Sequence, residues 1–420
     1  MDQLRLILNS DQLKGSIRLP GSKSISNRLL VMRQLADLKT RFHNLSTSDD
    51  TMHLHKSLKE IEACSASRIP MIVDTGNAGT VFRFLTAYLS ASEGKWLLTG
   101  TERMKKRPVG GLVNALTELG ADIDYAGDIS FPPLRIKGNE LQGKTVHVET
   151  SKSSQFVTAL MLIAPYFENG LVIKIKQKPV SFPYIAMTAS LMKMFGAHVR
   201  LEGKTISVRQ GNYKLKETYI EPDWSSASYW YEIVALSNNA DIFLPGFVKN
   251  GVQGDSICAD LFGQLGVKTI FQEDGIRLQK TSELNTSFEF DFTDYPDLVP
   301  AVAATCAIKH IHATLNGISH LKYKESDRVN SLSKELSKIG TKLEKRKDSL
   351  MLIPSKSFDL KKKIMFNTYG DHRIALCIAP LILKLNELRI NDPDVVTKSY
   401  PGFWKDIKNI GMADVEKTQR

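Results

Sequence analysis

The sequence predicts an α/β protein of two similar domains with a cleft between them, each domain built from three repeated units. Three observations lead there. Amphipathic stretches end at glycine five times, at Gly120, Gly196, Gly266, Gly340 and Gly411, at intervals of 76, 70, 74 and 71 residues. Polar or glycine-rich turns open apolar runs at Ser24, Gly79, Ser154, Ser226, Asp297 and Asp371, and from Gly79 onward they step by 75, 72, 71 and 74 residues. The first four glycines are followed by alternating residues around a turn, as in AHVRLEGKTISVR and VKTIFQEDGIRLQ, which is the pattern of a short hairpin.

Each element of this prediction has a physical reason. A glycine just past a helix takes the left-handed conformation without a Cβ clash, so it marks a C-terminus. The two series keep step, so one unit holds two helices and several strands, and six such units fit the 420 residues. The first unit departs from the pattern. Ser24 to Gly79 spans only 55 residues, so the stretch between Asp50 and Asn77 is expected to lack a strand or hairpin. The units divide into two halves near Glu221-Pro222-Asp223, with a short hinge.

Composition excludes several classes. Hydrophobic residues make up 42% and charged residues 24% of the chain, a globular mix that rules out a disordered chain, a collagen-like fibre or a low-complexity scaffold. No apolar run reaches the roughly 18 to 20 residues of a membrane span. The start, MDQLRLILNSDQLKG, lacks a basic region followed by an apolar core, so no secretory signal is expected. Cys64, Cys258, Cys306 and Cys377 show no metal-ligand spacing, which fits a reducing cytoplasm. The formal charge of +11 suits nucleic acid, an anionic membrane or small anionic substrates. The basic residues are mostly dispersed, and no nucleic-acid-binding signature is present. The densest clusters, Arg103 to Arg107 and Lys361 to Lys363, also read as solvated surface.

The helix starts carry anion-binding chemistry. Gly21-Ser22-Lys23-Ser24-Ile25-Ser26-Asn27-Arg28 precedes the apolar run LLVMRQLA. Unpaired N–H groups at a helix start, small hydroxyls and two cations make a phosphate or carboxylate site, although the same residues also describe a serine-capped helix. The GxxxxGK[ST] spacing of a P-loop is absent. Thr75-Gly76-Asn77-Ala78-Gly79-Thr80 with Arg83, and Ser151-Lys152-Ser153-Ser154-Gln155, repeat the device. The second half adds Lys322-Tyr323-Lys324-Glu325-Ser326-Asp327-Arg328, Gly370-Asp371-His372-Arg373 opening the apolar helix IALCIAPLIL, Tyr295-Pro296-Asp297, and Lys398. Arginine binds carboxylate and phosphate bidentately, and an acid among cations stays ionised and available as a base. Each of these, taken singly, also reads as a surface ion pair.

These residues together resemble a known family. LPGSKSISNR, GNAGT followed by Arg83, RMKKRP, SSQF, DWSSASYW, KESDR and GDHR, in this order from about Leu19 to Trp404, closely resemble the 5-enolpyruvylshikimate-3-phosphate synthases. The resemblance implies an inside-out α/β barrel fold of two domains, each of three βαββαβ-like units. It places the extreme N-terminal strand with the C-terminal half. The expected domains are therefore 21–222, binding shikimate 3-phosphate, and 1–20 with 223–420, clamping phosphoenolpyruvate. The implied reaction moves the enolpyruvyl group of phosphoenolpyruvate to the 5-hydroxyl of shikimate 3-phosphate and releases phosphate. It belongs to the shikimate pathway to chorismate and the aromatic amino acids. No metal or organic cofactor, no nucleic acid and no membrane is implied, and the chain is expected to be a cytoplasmic monomer.

The resemblance also implies residue roles. Lys23, Ser24, Arg28, Ser153, Ser154, Gln155, Ser181 and His320 contact shikimate 3-phosphate, and Asp297 and Lys324 hold its ring hydroxyls. Lys23, Gly79, Arg107, Gln155, Arg328, Arg373 and Lys398 bind phosphoenolpyruvate. Addition followed by elimination through a tetrahedral intermediate needs acid and base groups. Asp297 is assigned to the hydroxyl, and Glu325 or Lys23 to the methylene carbon. Arginines stabilise charge on the carboxylate and the leaving phosphate, and closure of the halves supplies proximity and excludes water.

Some positions depart from the family pattern. Phe84 stands for a proline common after the NAGT-x-x-R motif, Phe182 for a small or basic residue after Ser181, and His320 for an asparagine. Phe84 lies one helical turn from the family's glyphosate-contacting loop, so inhibitor sensitivity is where that departure bears. Two rival readings remain. The sister transferase acting on UDP-N-acetylglucosamine uses a cysteine just before an Arg-Pro pair, whereas TERMKKR before Pro108 has none. A catalytically inactive anion-binding paralogue would lack some of the candidate catalytic residues, and all are present.

Overall fold

Helices line the interior of each half of the chain and sheets lie outside them. The computed structural model describes residues 2–64, 69–150, 153–177, 179–282, 285–355 and 363–418. Ser151, Lys152, Lys361 and Lys362, named above in two basic motifs, lie outside the described residues. The chain divides into two compact units, Ser22–Ile220 and Met1–Gly21 with Glu221–Arg420. Gly21 and Pro222 form an antiparallel bridge, and the Asp223 amide donates to Pro20 O at 3.0 Å.

The unit Ser22–Ile220 holds helices α1 (Lys23–Leu35), α2 (Asp49–Cys64), α3 (Gly79–Ser90), α4 (Gly110–Glu118), α5 (Gln155–Ile163) and α6 (Phe182–Met194). Helices α1, α3 and α5 pack on one another. Residues Val81 to Ser90 of α3 and Phe156 to Ile163 of α5 are all buried. Each fully buried Leu, Ile or Phe contributes about 1.5–3 kcal/mol. Two four-stranded sheets share one design. Met71–Asp74 runs parallel to Gly94–Thr99, beside which lies the antiparallel hairpin of Asp122–Tyr125 and Leu134–Gly138. Thr145–Val148, Leu171–Ile175, Thr205–Val208 and Val199–Glu202 repeat it.

The third sheet is abridged. Thr218–Tyr219 runs parallel to Phe42–His43, and this sheet has two strands. The described residues between α2 and Met71 contain no hairpin, which is the element the short first unit was expected to lack. The cause is local. Gly120, Gly196, Gly266, Gly340 and Gly411 all have positive φ, from 75° to 98°, and each stops a helix. No glycine interrupts α2, which runs 16 residues where α4 runs 9.

The other unit holds α7 (Trp224–Leu236), α8 (Cys258–Gly263), α9 (Val299–Ile308), α10 (Arg328–Ser337), α11 (His372–Ile378) and α12 (Phe403–Asn409). Helices α7, α9 and α11 pack together, and every residue of α7 and α9 is buried. Three four-stranded sheets flank them. In the last, the strand Gln3–Leu8 lies between Glu387–Asn391 and Ala413–Thr418, antiparallel to both. It supplies the hairpin arm that the sixth unit would otherwise take from its own C-terminal side. The apolar run after Arg373 is not one helix, as the sequence suggested. α11 ends at Ile378, a tight turn spans Ala379–Leu381, and a short helix resumes at Ile382–Leu385, because Pro380 has no N–H to continue the ladder. Cys258, Cys306 and Cys377 are buried free thiols. Among the described residues no helix is long and apolar enough to cross a membrane.

Candidate active site

In both units the chemistry sits at helix starts, where the first N–H groups lack intrahelical partners. In the unit Ser22–Ile220, Ser22 caps α1, its hydroxyl accepting from the Ile25 amide at 3.4 Å. Capping therefore occupies Ser22 and not the candidate Ser24. Lys23 is the first residue of α1 and pairs with Asp50 of α2 at 3.2 Å. Arg28 is 3% exposed; burial pushes its guanidinium down to about 10, and the nearby Tyr184 only partly offsets this. Ser153 accepts from the Gln155 amide at 3.2 Å. Ser154 and Ser181 stand at the starts of α5 and α6 but cap neither helix. Ser181 is also left-handed, at φ 57°, which is strained backbone for a residue with a Cβ. Phe182 follows it, partly exposed, as the first residue of α6.

Arg83 ties several of these together. It donates to Gln155 Oε1 at 2.7 Å, Pro108 O at 2.9 Å and Gly79 O at 3.2 Å, while Gln155 Nε2 donates to Thr80 at 2.8 Å. The Gln155 amide is thus held in one orientation. Arg107, 5% exposed, donates to Asn77 O at 3.1 Å. At Gly79 a Cβ would meet Arg107 Cζ at 2.6 Å and Arg83 Nη1 at 2.7 Å, so only glycine lets both arginines approach the start of α3.

The other unit concentrates charge on Arg328. Its Nη1 donates to Asp297 Oδ1 at 2.8 Å, its Nη2 to Glu325 Oε2 at 2.8 Å and its Nε to Asp371 Oδ2 at 2.9 Å. Arg373 donates to the other Asp297 oxygen at 2.7 Å and to Tyr229 at 3.3 Å. Asp371 caps α11 through the Arg373 amide at 3.0 Å and accepts from Ser326 at 3.0 Å. Burial opposes the Asp297 charge, but Arg373, Lys324 and Arg328 outweigh it and hold the carboxyl well below its ordinary value. Asp255, which accepts from Ser225, shows the contrary balance: burial and then Asp297 push it up to about 6. His320 is 3% exposed, and neither ring nitrogen has a hydrogen-bond partner among the described residues. Burial, then Lys324, drives its pKa down to about 3, so the ring is neutral. Lys398 ends a tight turn, Pro393–Lys398, that packs on α11.

The structure thus groups Lys23, Ser24, Arg28, Gly79, Arg107, Ser153, Ser154, Gln155 and Ser181 in one unit, and Asp297, His320, Lys324, Glu325, Arg328, Arg373 and Lys398 in the other. Sequence reasoning gave no role to Asp50, Thr188, Tyr229 or Asp255. Arg83 and Asp371 stood in quoted motifs without an assignment.

Comparison with known proteins decides the family. The sequence model of EPSP synthase (3-phosphoshikimate 1-carboxyvinyltransferase) matches residues 7–407. The chain belongs to the EPSP synthase family. A 3-phosphoshikimate 1-carboxyvinyltransferase of Bacteroides fragilis is 41% identical over 411 residues, covering 97% of this chain and 98% of that protein. Proteins of the same name from Sulfurovum sp. and Colwellia psychrerythraea are 36% and 34% identical, each covering 95% of this chain and 97% of its own length. An EPSP synthase structure from Acinetobacter baumannii superposes with a TM-score of 0.78 at 21% identity, covering both chains completely, and so shares the fold. The family is one of transferases in the shikimate pathway, which favours that reading over the UDP-sugar transferase and the inactive paralogue.

Proposed function

We propose that this chain transfers the carboxyvinyl group of phosphoenolpyruvate to the 5-hydroxyl of shikimate 3-phosphate through the residues grouped above. Ser22–Ile220 binds shikimate 3-phosphate through Lys23, Ser24, Arg28, Ser153, Ser154, Gln155 and Ser181. In the other unit, Lys324, Asp297 and the neutral ring of His320 are assigned to the same substrate. Arg328, Arg373 and Lys398 clamp phosphoenolpyruvate, joined by Arg107, Lys23, Gln155 and the backbone at Gly79.

In the addition step the 5-oxygen bonds to C2 of phosphoenolpyruvate, its proton passes to Asp297, and the methylene carbon takes a proton from Glu325 or Lys23. In the elimination step the new methyl group returns a proton and the C–O bond to phosphate breaks. Asp297 shares Arg328 and Arg373 with the incoming anion. As phosphoenolpyruvate takes guanidinium N–H groups, the charge holding Asp297 ionised is partly neutralised and its proton affinity rises. Anion binding therefore arms the base. Arg328 and Arg373 then stabilise charge on the carboxylate and the leaving phosphate.

The observation that carries this reading is the double engagement of Asp297 by Arg328 and Arg373. Buried free thiols suit a cytoplasmic enzyme, and we take it to act as a monomer on small anions. Phosphate release from purified protein tests the reaction. Release that requires both substrates supports it; a folded protein that releases none with both present rejects it.

A further inference from the structure

Arg28 is buried among neutral groups. Its Nη1 donates to Ser24 O at 2.7 Å, its Nη2 to Tyr184 O at 3.1 Å and its Nε to Thr188 Oγ1 at 2.8 Å. Its Cζ lies 5.6 Å from the centre of the Phe84 ring. Among the described residues no carboxylate pairs with it. A buried cation ordinarily requires a charged or strongly hydrogen-bonded partner, and here only dipoles and one π face provide it.

The partners come from three helices. Ser24 lies on α1, Phe84 on α3, and Tyr184 and Thr188 on α6. Thr188 is not a free rotor. Its hydroxyl donates to Tyr184 O at 2.7 Å, so its lone pairs are left for the Arg28 Nε. Phe84 and Thr188 are 1% and 0% exposed and cannot easily turn away. A guanidinium has five N–H donors. Three are used, which leaves one on each terminal nitrogen, the paired arrangement that suits an oxyanion.

We propose that Thr188 and Phe84 are positioning residues that fix the plane of the Arg28 guanidinium, presenting its two remaining N–H groups to shikimate 3-phosphate. Thr188 sets the rotation through Nε. Phe84 supports one face of the cation without adding a negative charge, which would repel the substrate anion. A proline at position 84 has no π face and could do neither this nor carry the ladder of α3. The inference rests on the reading of Arg28 as a shikimate 3-phosphate contact.

The test compares Thr188→Val, Thr188→Ser, Phe84→Leu and Arg28→Ala by steady-state kinetics on each substrate, with thermal unfolding to establish folding. Thr188→Val and Phe84→Leu should each raise KM for shikimate 3-phosphate about tenfold, the size of one weakened charged hydrogen bond or cation–π contact. KM for phosphoenolpyruvate and kcat should stay within about twofold, the signature of lost ground-state binding. Thr188→Ser should restore the parent value. If Arg28→Ala raises that KM while Thr188→Val leaves it unchanged, positioning by Thr188 is wrong. A folded Phe84→Leu protein with unaltered KM removes Phe84. If Arg28→Ala itself leaves shikimate 3-phosphate binding intact, the underlying reading of Arg28 is the part that fails.

Discussion

Arg373 donates to Asp297 Oδ2 at 2.7 Å, on the oxygen that Arg328 leaves open. The carboxylate is therefore gripped on both sides by the groups proposed to bind phosphoenolpyruvate. Burial works against its charge, yet Arg373, Lys324 and Arg328 hold it well below 3.8. In the free enzyme, lowering the pH protonates it only below that value, so its titration should be missing from the kcat/KM profile between about pH 5 and 8. Asp297→Asn should lower kcat by about 10²–10⁴-fold and leave shikimate 3-phosphate bound. A pH–rate profile of the parent enzyme and single-turnover rates of the variant check both statements.

Glu325 accepts from Arg328 at 2.8 Å and is one of two candidates for the methylene proton. Glu325→Gln should keep shikimate 3-phosphate binding and cut turnover about a hundredfold. Near-normal turnover would leave Lys23, itself paired to Asp50, as the remaining candidate.

Arg107 lies against Gly79 and donates to Asn77 O. Arg107→Ala should weaken phosphoenolpyruvate at least about tenfold, the loss of a charged hydrogen bond, and shikimate 3-phosphate far less. Titration calorimetry with each substrate separates the two, and equal weakening would contradict the assignment.

Glu232 lies on the fully buried α7, and neither carboxyl oxygen has a hydrogen-bond partner among the described residues. Burial pushes its pKa well above the ordinary 4.5. The folded chain therefore keeps a proton that the unfolded chain releases above that value, and stability falls as pH rises from there. Glu232→Leu should stabilise the protein by about 1–3 kcal/mol at pH 7, the usual cost of a buried unsatisfied polar group. The gain should shrink toward pH 4. Urea unfolding across that range reads it.

Lys309 shows the opposite sign. Its amine donates to Ala235 O at 3.0 Å and Leu265 O at 2.8 Å, and Lys280 donates to that same Ala235 oxygen. Burial, then Lys280, brings its pKa down to about 7. Between about 7 and 10.5 the unfolded chain binds the extra proton, so this group makes stability rise with pH. Lys309→Met should flatten that rise, as thermal unfolding at pH 7 and pH 9.5 would show; an unchanged slope would exclude Lys309 as its source.

Much of this was legible in the sequence because it was periodic. Gly120, Gly196, Gly266, Gly340 and Gly411 marked helix ends through one local requirement, a positive φ, and that needs no tertiary context. The missing hairpin was visible as a short interval for the same reason. The site residues stood at helix starts, where local polarity interrupts apolar runs. What stayed hidden depends on three-dimensional neighbours. Nothing local says that Arg328 meets three carboxylates while Arg28 meets none among the described residues. Asp50 reads as an ordinary acid opening a helix until α2 is laid beside α1. A glutamate in a helix ordinarily marks a solvated face, and only the packing of α7 shows that Glu232 has none.

The strand Gln3–Leu8 has a consequence for how the protein is made. Arg5 hydrogen-bonds Glu387, 382 residues further along the chain. At about 5–20 residues per second of synthesis, that strand waits on the order of tens of seconds for its neighbours to leave the ribosome. Leu4 and Leu6, fully buried in the finished protein, are exposed throughout. Every described strand of Ser22–Ile220 pairs within that unit, so its sheets can form meanwhile. Nascent chains should therefore leave Gln3–Leu8, made long before its partners, among the last strands to find its place and a natural target for chaperones until then.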